Sequence, residues 1–241
     1  MSADLFNNRY VCLVLACNRE FYNSRRQKNS DTFKILKDSK FVIVYLFADN
    51  SIDTVKITEV AHDMYNMTVP APEMYELISY KMNVAYNYFS NTNVKGILKI
   101  DDNTIISFPD IIEHDFTDLI NNSKYDYIGL EKVIVKKDTN NYIKMKNRTP
   151  MPILGNIYHK LDIDISYFGG PFYYLSPRAI KQISTTGLIF GYEDFSVGYS
   201  VSKNPALKIY TWKFKNKGIT WDNEKEVDPD TVSKLKSNGK N

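Results

Sequence analysis

The sequence predicts an α/β fold, a sheet with helices packed against it, and three observations lead there. Residues 10–16 (YVCLVLA) and 41–47 (FVIVYLF) are short, continuous apolar runs, the pattern of strands buried on both faces. Between them, residues 24–37 read as a helix opened by Ser24-Arg25-Arg26-Gln27, and strand, helix, strand is the start of a parallel sheet. A further apolar run, residues 96–100 (GILKI), leads straight into Asp101-Asp102-Asn103. An acidic turn therefore stands at the carboxyl end of a strand, where open α/β sheets place their ligands.

The other elements follow in order. Pro70 and Pro72 precede a helix from about residue 73 to residue 89, with Met74, Leu77, Ile78, Ala85 and Phe89 as its apolar stripe. Lys81 falls on that stripe, so its ammonium must snorkel or meet an anion. Pro109 starts another helix to about residue 119, and residues 125–129 read as a short strand. Residues 131–160 are Lys- and Asn-rich and read as a surface excursion or a small antiparallel addition. Residues 165–176 form two aromatic pieces hinged on Gly169 and Gly170, and Ser176 is placed to cap a helix starting at Pro177. A strand is expected at residues 207–212. Residues 1–221 are expected to form a single domain, and the polar tail 222–241 to fray.

Composition narrows the function. The chain has 241 residues, 43 % hydrophobic and 24 % charged, an ordinary globular balance. Its net charge of +3, with no tract interleaving arginines and aromatics, argues against a nucleic-acid partner. Cys12 and Cys17 are five positions apart in what reads as one strand, so they face opposite sides and do not bridge, which fits a reducing compartment. With no signal-like segment and no apolar run long enough to span a bilayer, a soluble cytoplasmic protein is expected. Phosphate-binding loops, dinucleotide fingerprints and nucleophile elbows are missing. His62, His114 and His159 are dispersed, and no second ligand stands at useful spacing.

Three constellations carry chemistry. Asp101, Asp102 and Asn103 offer oxygen ligands that can hold Mg²⁺ or Mn²⁺ against a diphosphate, although Asp-Asp-Asn is also a good turn. Glu193-Asp194, between Gly191 and Gly198, can supply a general base, or simply the acidic first turn of a helix. Arg25, Arg26 and Lys81 are cations able to reach a diphosphate, or else ordinary surface and packing residues.

Taken together and in order, these elements resemble glycosyltransferase family 31, the β-1,3-galactosyltransferases and N-acetylglucosaminyltransferases with the Fringe-like enzymes and relatives from large DNA viruses. Arg25-Arg26-Gln27-Lys28-Asn29-Ser30 is similar to that family's arginine-rich helix start. Asp63-Met64-Tyr65-Asn66-Met67-Thr68, followed by Lys81, resembles its Asp-x-Tyr-x-Asn-Leu-Thr element and lysine-bearing helix. Lys99-Ile100-Asp101-Asp102-Asn103 resembles its Lys-x-Asp-Asp-Asp hallmark, with Asn103 in the last position. Tyr167 to Ser176 and Glu193 to Gly198 resemble its Tyr-x-x-Gly-x-x-Tyr-x-x-Ser and Glu-Asp-Val-x-x-Gly elements, and the five span about residues 11–200.

The resemblance implies a single-domain Rossmann-like fold of the GT-A type, with a mixed central sheet flanked by helices. It implies transfer of a hexose or N-acetylhexosamine from a nucleoside-diphosphate sugar, UDP-sugar above all, to a hydroxyl of a glycan or other acceptor, with inversion. Asp101, Asp102 and Asn103 would hold Mn²⁺ or Mg²⁺, and Asp194 would be the base. Arg25, Arg26, Lys81, Asp101, Asp102, Gly169, Gly170 and Glu193 would contact the donor, and the aromatic segment from Tyr167 to Tyr174 would line the sugar sites. The alternatives are a nucleotidyltransferase on a similar sheet and a silent sugar-binding module.

Overall fold

The computed structural model describes residues 3–18, 20–74, 77–122, 124–137, 162–188, 192–213 and 218–221. Most of the 131–160 segment, His159, Gly191 and the tail 222–241 lie outside the described residues. A mixed central sheet flanked by helices organises the chain, as the sequence predicts. Its strands are β1 (Tyr10–Leu15), β2 (Phe41–Ala48), β3 (Lys56–Ala61), β4 (Met64–Val69), β5 (Gly96–Asp101), β7 (Tyr127–Gly129), β10 (Phe172–Leu175) and β11 (Ile209–Thr211), in the order β11-β7-β10-β5-β1-β2-β4-β3. Two small antiparallel pairs complete the strands: β6 (Thr104–Ile106) with β12 (Ile219–Trp221), and β8 (Lys132–Val135) with β9 (Ile165–Phe168).

The strands β4, β2, β1 and β5 are mutually parallel, while β3 and β10 join antiparallel. Chain order reverses at β1, since β2 and β4 lie to one side and β5 to the other. Leu15 and Asp101, the last residues of β1 and β5, are register partners. The carboxyl ends of these two strands thus frame a topological switch point, where α/β sheets open a crevice.

Helices cover both faces. α3 (Ile78–Phe89), α5 (Pro177–Thr186) and α6 (Glu193–Ser202) pack Met82, Ala85, Ile180, Ile183 and Val197 against the face bearing Val11, Leu13 and Ile97. On the other face, Phe33 and Leu36 of α2 (Ser30–Asp38), Ile112 and Phe116 of a π-helical stretch (Ile111–Phe116) and Ile120 of α4 (Thr117–Asn122) cover Cys12, Val14, Leu98 and Ile100. Period-two alternation along each strand divides the core this way. Ser176 caps α5 as expected, accepting from the Ala179 amide at 3.3 Å.

Several local expectations are corrected. The helix at residues 24–37 is two helices, α1 (Glu20–Lys28) and α2, broken at Asn29, whose side chain donates to the Asp102 carbonyl at 2.9 Å. Cys17 lies past the end of β1, so the two cysteines do not share the strand, and both are free thiols. The β3–β4 hairpin was not apparent from the sequence because β3 is almost wholly exposed and has no apolar periodicity. No helix among the described residues is long and apolar enough to cross a membrane.

Candidate functional site

The crevice at the switch point is a cleft of about 250 Å³, a little below the usual range for ligand pockets. Leu15, Ala16 and Cys17 form one wall at the end of β1, and Asp101, Asp102 and Asn103 form another at the end of β5. Tyr22 and Arg25 of α1 and Met74, Ile78 and Lys81 around the start of α3 close it. The apolar and aromatic groups suit a flat ring, and the charged ones suit a phosphate.

The acidic turn is held in place by its surroundings. Thr104 Oγ1 accepts from the Asp101 amide at 3.2 Å and donates to the Pro171 carbonyl at 2.9 Å, tying the turn to the segment before β10. Asp102 is buried, with Arg25 Nη1 3.7 Å from Oδ1 and Arg26 Nη1 3.8 Å from Oδ2. Burial raises the Asp102 carboxyl to about 6, with the two arginines opposing the shift. Arg26 also lies over the Phe47 and Tyr45 rings and donates to the Cys17 carbonyl at 2.9 Å. Burial lowers its guanidinium, with Asp102 acting against that shift.

Lys81 meets the anion its place on an apolar stripe demands. Its ammonium donates to Glu73 Oε1 at 2.7 Å and to the Ala16 carbonyl at 2.6 Å, while Glu73 Oε2 accepts from the Ala48 amide at 2.8 Å. Burial lowers the Lys81 ammonium and Glu73 counteracts it. The pair ties α3 to the ends of β1 and β2, so Lys81 is engaged in structure as well as lining the cleft.

A second carboxylate group approaches from α6. Glu193 and Asp194 occupy the first turn of this helix, and Gly198 lets it lie directly on β9: a Cβ there would stand 2.7 Å from the Ser166 carbonyl oxygen. Glu193 accepts from the Tyr173 hydroxyl on one oxygen, and its other oxygen is 3.4 Å from Lys99 Nζ. The Tyr86 hydroxyl lies 2.7 Å from that of Tyr173. Burial raises the Glu193 carboxyl to about 7 against the pull of Lys99. Asp194 is hydrogen-bonded by the amides of Phe195 and Gly170, yet burial leaves it raised.

Lys99 joins the two carboxylate groups. It shares a strand face with Asp101 two residues on, and its ammonium donates to Asp101 Oδ1 and to the Gly170 carbonyl, both at 2.6 Å. Burial acts to lower it, but Asp101 and Glu193 prevail and hold it raised and charged. The Lys-x-Asp pattern was visible in the sequence, and a lysine inside an apolar strand already signals a buried anion. Asn29 gave no comparable signal, because its partner lies 73 residues away, and Glu73, eight residues before Lys81, is set apart by no local pattern as the anion which that lysine meets.

The aromatic segment sits differently from the expected sugar lining. Phe168, Phe172, Tyr173 and Tyr174 are buried in the core, and Tyr167 alone among these rings is partly open, packed edge-on against Phe195. Gly170 has room beside Lys99 and Glu193, and Gly169 is more open still. Asp63 lies at the opposite end of the sheet from the cleft, in a bidentate ion pair with Arg9 at 2.7 and 2.8 Å. His114 does have neighbours at ligand spacing: among the described residues its ring groups with Asp110 and Glu113, all exposed on one helical face.

The acidic turn fits the divalent cation that the resemblance implies, with one qualification of charge. Asp101, Asp102 and Asn103 supply the oxygen ligands a hard cation takes, and the buried Asp102 Oδ2 accepts no hydrogen bond. The neighbouring Lys99, Arg25 and Arg26 already offset the two carboxylates, so a diphosphate would have to share in holding the ion.

No protein-family model matches the chain, and comparison with curated proteins finds no match. Two solved structures that resemble it are glycosyltransferases. One is involved in glycosylation of the major capsid of PBCV-1: it is 10 % identical with a TM-score of 0.35, the match covers 73 % of this chain, and the chain spans 64 % of that protein's length. The other is a mutant Drosophila β1,4-galactosyltransferase 7 in complex with manganese, UDP-Gal and xylobiose, 11 % identical with a TM-score of 0.44, matched over 93 % of this chain and 79 % of that one.

Proposed function

We propose that the chain is an inverting glycosyltransferase of the GT-A type, with residues 1–221 as its catalytic unit. It would transfer a hexose or N-acetylhexosamine from a nucleoside-diphosphate sugar, with UDP as the expected nucleotide, to an acceptor hydroxyl. The observation that carries this reading is the meeting of two carboxylate groups, Asp101-Asp102 at the switch-point cleft and Glu193-Asp194 at the start of α6, around one lysine. A donor site and a base must be neighbours if a sugar is to pass between them.

In this reading the base and ring of the nucleotide lie among Tyr22, Met74 and Ile78, with the diphosphate toward Arg25 and the acidic turn. Asp101, Asp102 and Asn103 would hold a Mn²⁺ or Mg²⁺ ion, which would neutralise charge on the leaving diphosphate. Arg25 and Arg26 add fixed positive charge there. Asp194 takes the proton from the acceptor hydroxyl, whose oxygen bonds to the anomeric carbon as the bond to the diphosphate oxygen breaks and its electron pair leaves with the diphosphate. Burial raises Asp194 toward the pH at which it works, which favours a base at the moment of transfer.

A panel of nucleotide-sugars incubated with the protein, with and without Mn²⁺, tests the reading. Release of nucleoside diphosphate from at least one donor is expected. With a nucleoside triphosphate and a sugar 1-phosphate supplied in a parallel arm, release of pyrophosphate there and of no nucleoside diphosphate from any donor would make the chain a nucleotidyltransferase, and binding without any turnover would make it a silent sugar-binding module.

A further inference from the structure

We propose that Lys99 is a positioning residue, which sets the acceptor-side carboxylate Asp194 against the donor-side carboxylate Asp101 by way of Gly170. The inference rests on the sugar-transfer reading for the names of the two sides, but not for the geometry. One ammonium, its side chain only 1 % exposed, lies 2.6 Å from Asp101 Oδ1, 2.6 Å from the Gly170 carbonyl oxygen and 3.4 Å from Glu193 Oε2. Gly170 faces both ways: its carbonyl accepts from Lys99 and its amide hydrogen-bonds Asp194.

Geometry explains why an ammonium suits this place. Three acceptors arrive from three elements, the end of β5, the turn before β10 and the first turn of α6, and an ammonium carries three donors. Glu193 is fixed from its other side by Tyr173, itself bonded to Tyr86 of α3, so the cluster is anchored in the core. The Gly170 side has room as well: a Cβ there would lie 3.6 Å from the ammonium and 3.8 Å from Glu193, in ordinary contact. Without Lys99 the Gly170 carbonyl loses its tie to β5, the turn is held there only through the neighbouring Pro171 carbonyl, and the Asp194 carboxylate loses the side-chain link that fixes its distance from the donor site.

The alternative is that Lys99 merely balances the buried charge of Glu193, and the double variant Lys99→Met/Glu193→Gln separates the two roles. It removes one buried charge of each sign and leaves without its cation only Asp101, whose side chain is 28 % exposed and open to solvation, so a residue that only balances buried charge is no longer missed. If Lys99 positions Gly170, exchange of the amides of Gly169, Gly170 and Phe172 rises at least about tenfold in this folded variant while β1 and β2 keep their protection. With a donor that the wild type turns over, kcat falls by about a hundredfold and donor KM changes little. Lys99→Gln provides a second variant with the same exchange readout, in case the first does not fold. Wild-type exchange at the amides of Gly169, Gly170 and Phe172 in either folded variant overturns the proposal. Exchange does not depend on turnover, so a wild type that releases no nucleoside diphosphate overturns the transfer reading and leaves this inference to be decided on exchange alone.

Discussion

Arg25 stands 3.7 Å from Asp102, inside the acidic turn that the sequence marks as a metal site. With Arg26 at 3.8 Å on the other carboxylate oxygen, two fixed cations occupy positions where they repel an incoming divalent ion but attract a diphosphate.

Metal and nucleotide should therefore bind cooperatively. Titration of Mn²⁺ alone is expected to give weak binding, and UDP should tighten it by roughly 10- to 100-fold, with the same factor seen in reverse for UDP. Asn103→Asp should strengthen Mn²⁺ binding by roughly tenfold, about 1.4 kcal/mol, by adding a carboxylate. Equal Mn²⁺ affinity with and without UDP would remove the diphosphate from the ion's coordination.

Lys81 should be felt first as stability. Its side chain is 3 % exposed and its pair with Glu73 is 2.7 Å long, so Lys81→Met leaves a carboxylate without its cation and should cost about 3 kcal/mol in urea unfolding. UDP affinity in the folded variant should change no more than a few-fold. A loss of UDP binding beyond roughly tenfold at unchanged stability would return Lys81 to the role of phosphate ligand.

Stability should fall as pH rises through the range where Glu193 ionises in the folded protein. Its carboxyl is raised to about 7, above the value it has in an unfolded chain, so between about pH 4.5 and pH 7 the folded state binds more protons than the unfolded one. Protonated Glu193 is tolerated at pH 5, and its ionised form costs stability at pH 7.5. The stability of Glu193→Gln relative to wild type should thus rise between those pH values, by up to about 3 kcal/mol. A difference that does not change with pH would mean that Lys99 and Tyr173 fully compensate the buried charge.

The central strands and the position of the acidic turn were legible in the sequence, because buried parallel strands are written as unbroken apolar runs and Asp101 follows one of them directly. The cap at Ser176 and the anion demanded by Lys81 were legible for the same kind of local reason. What escaped depends on distant partners. Asn29 breaks a helix to bond the Asp102 carbonyl, and nothing near Asn29 announces it. The aromatic segment looked like a sugar platform, yet Phe172 and Tyr174 alternate with Tyr173 between two cores, so its rings fill both faces of the sheet. Asp110, Glu113 and His114 correct the expectation that no second ligand stands near a histidine: three and four residues apart, they fall on one helical face.

The role of Asp194 in transfer is tested most directly by Asp194→Asn, assayed with a donor that the wild type turns over and an acceptor present. Calorimetry should find UDP affinity within about threefold of wild type, while nucleoside diphosphate release falls at least about a hundredfold. Turnover close to that of wild type, with binding equally intact, would contradict Asp194 as the base and the transfer geometry built around it.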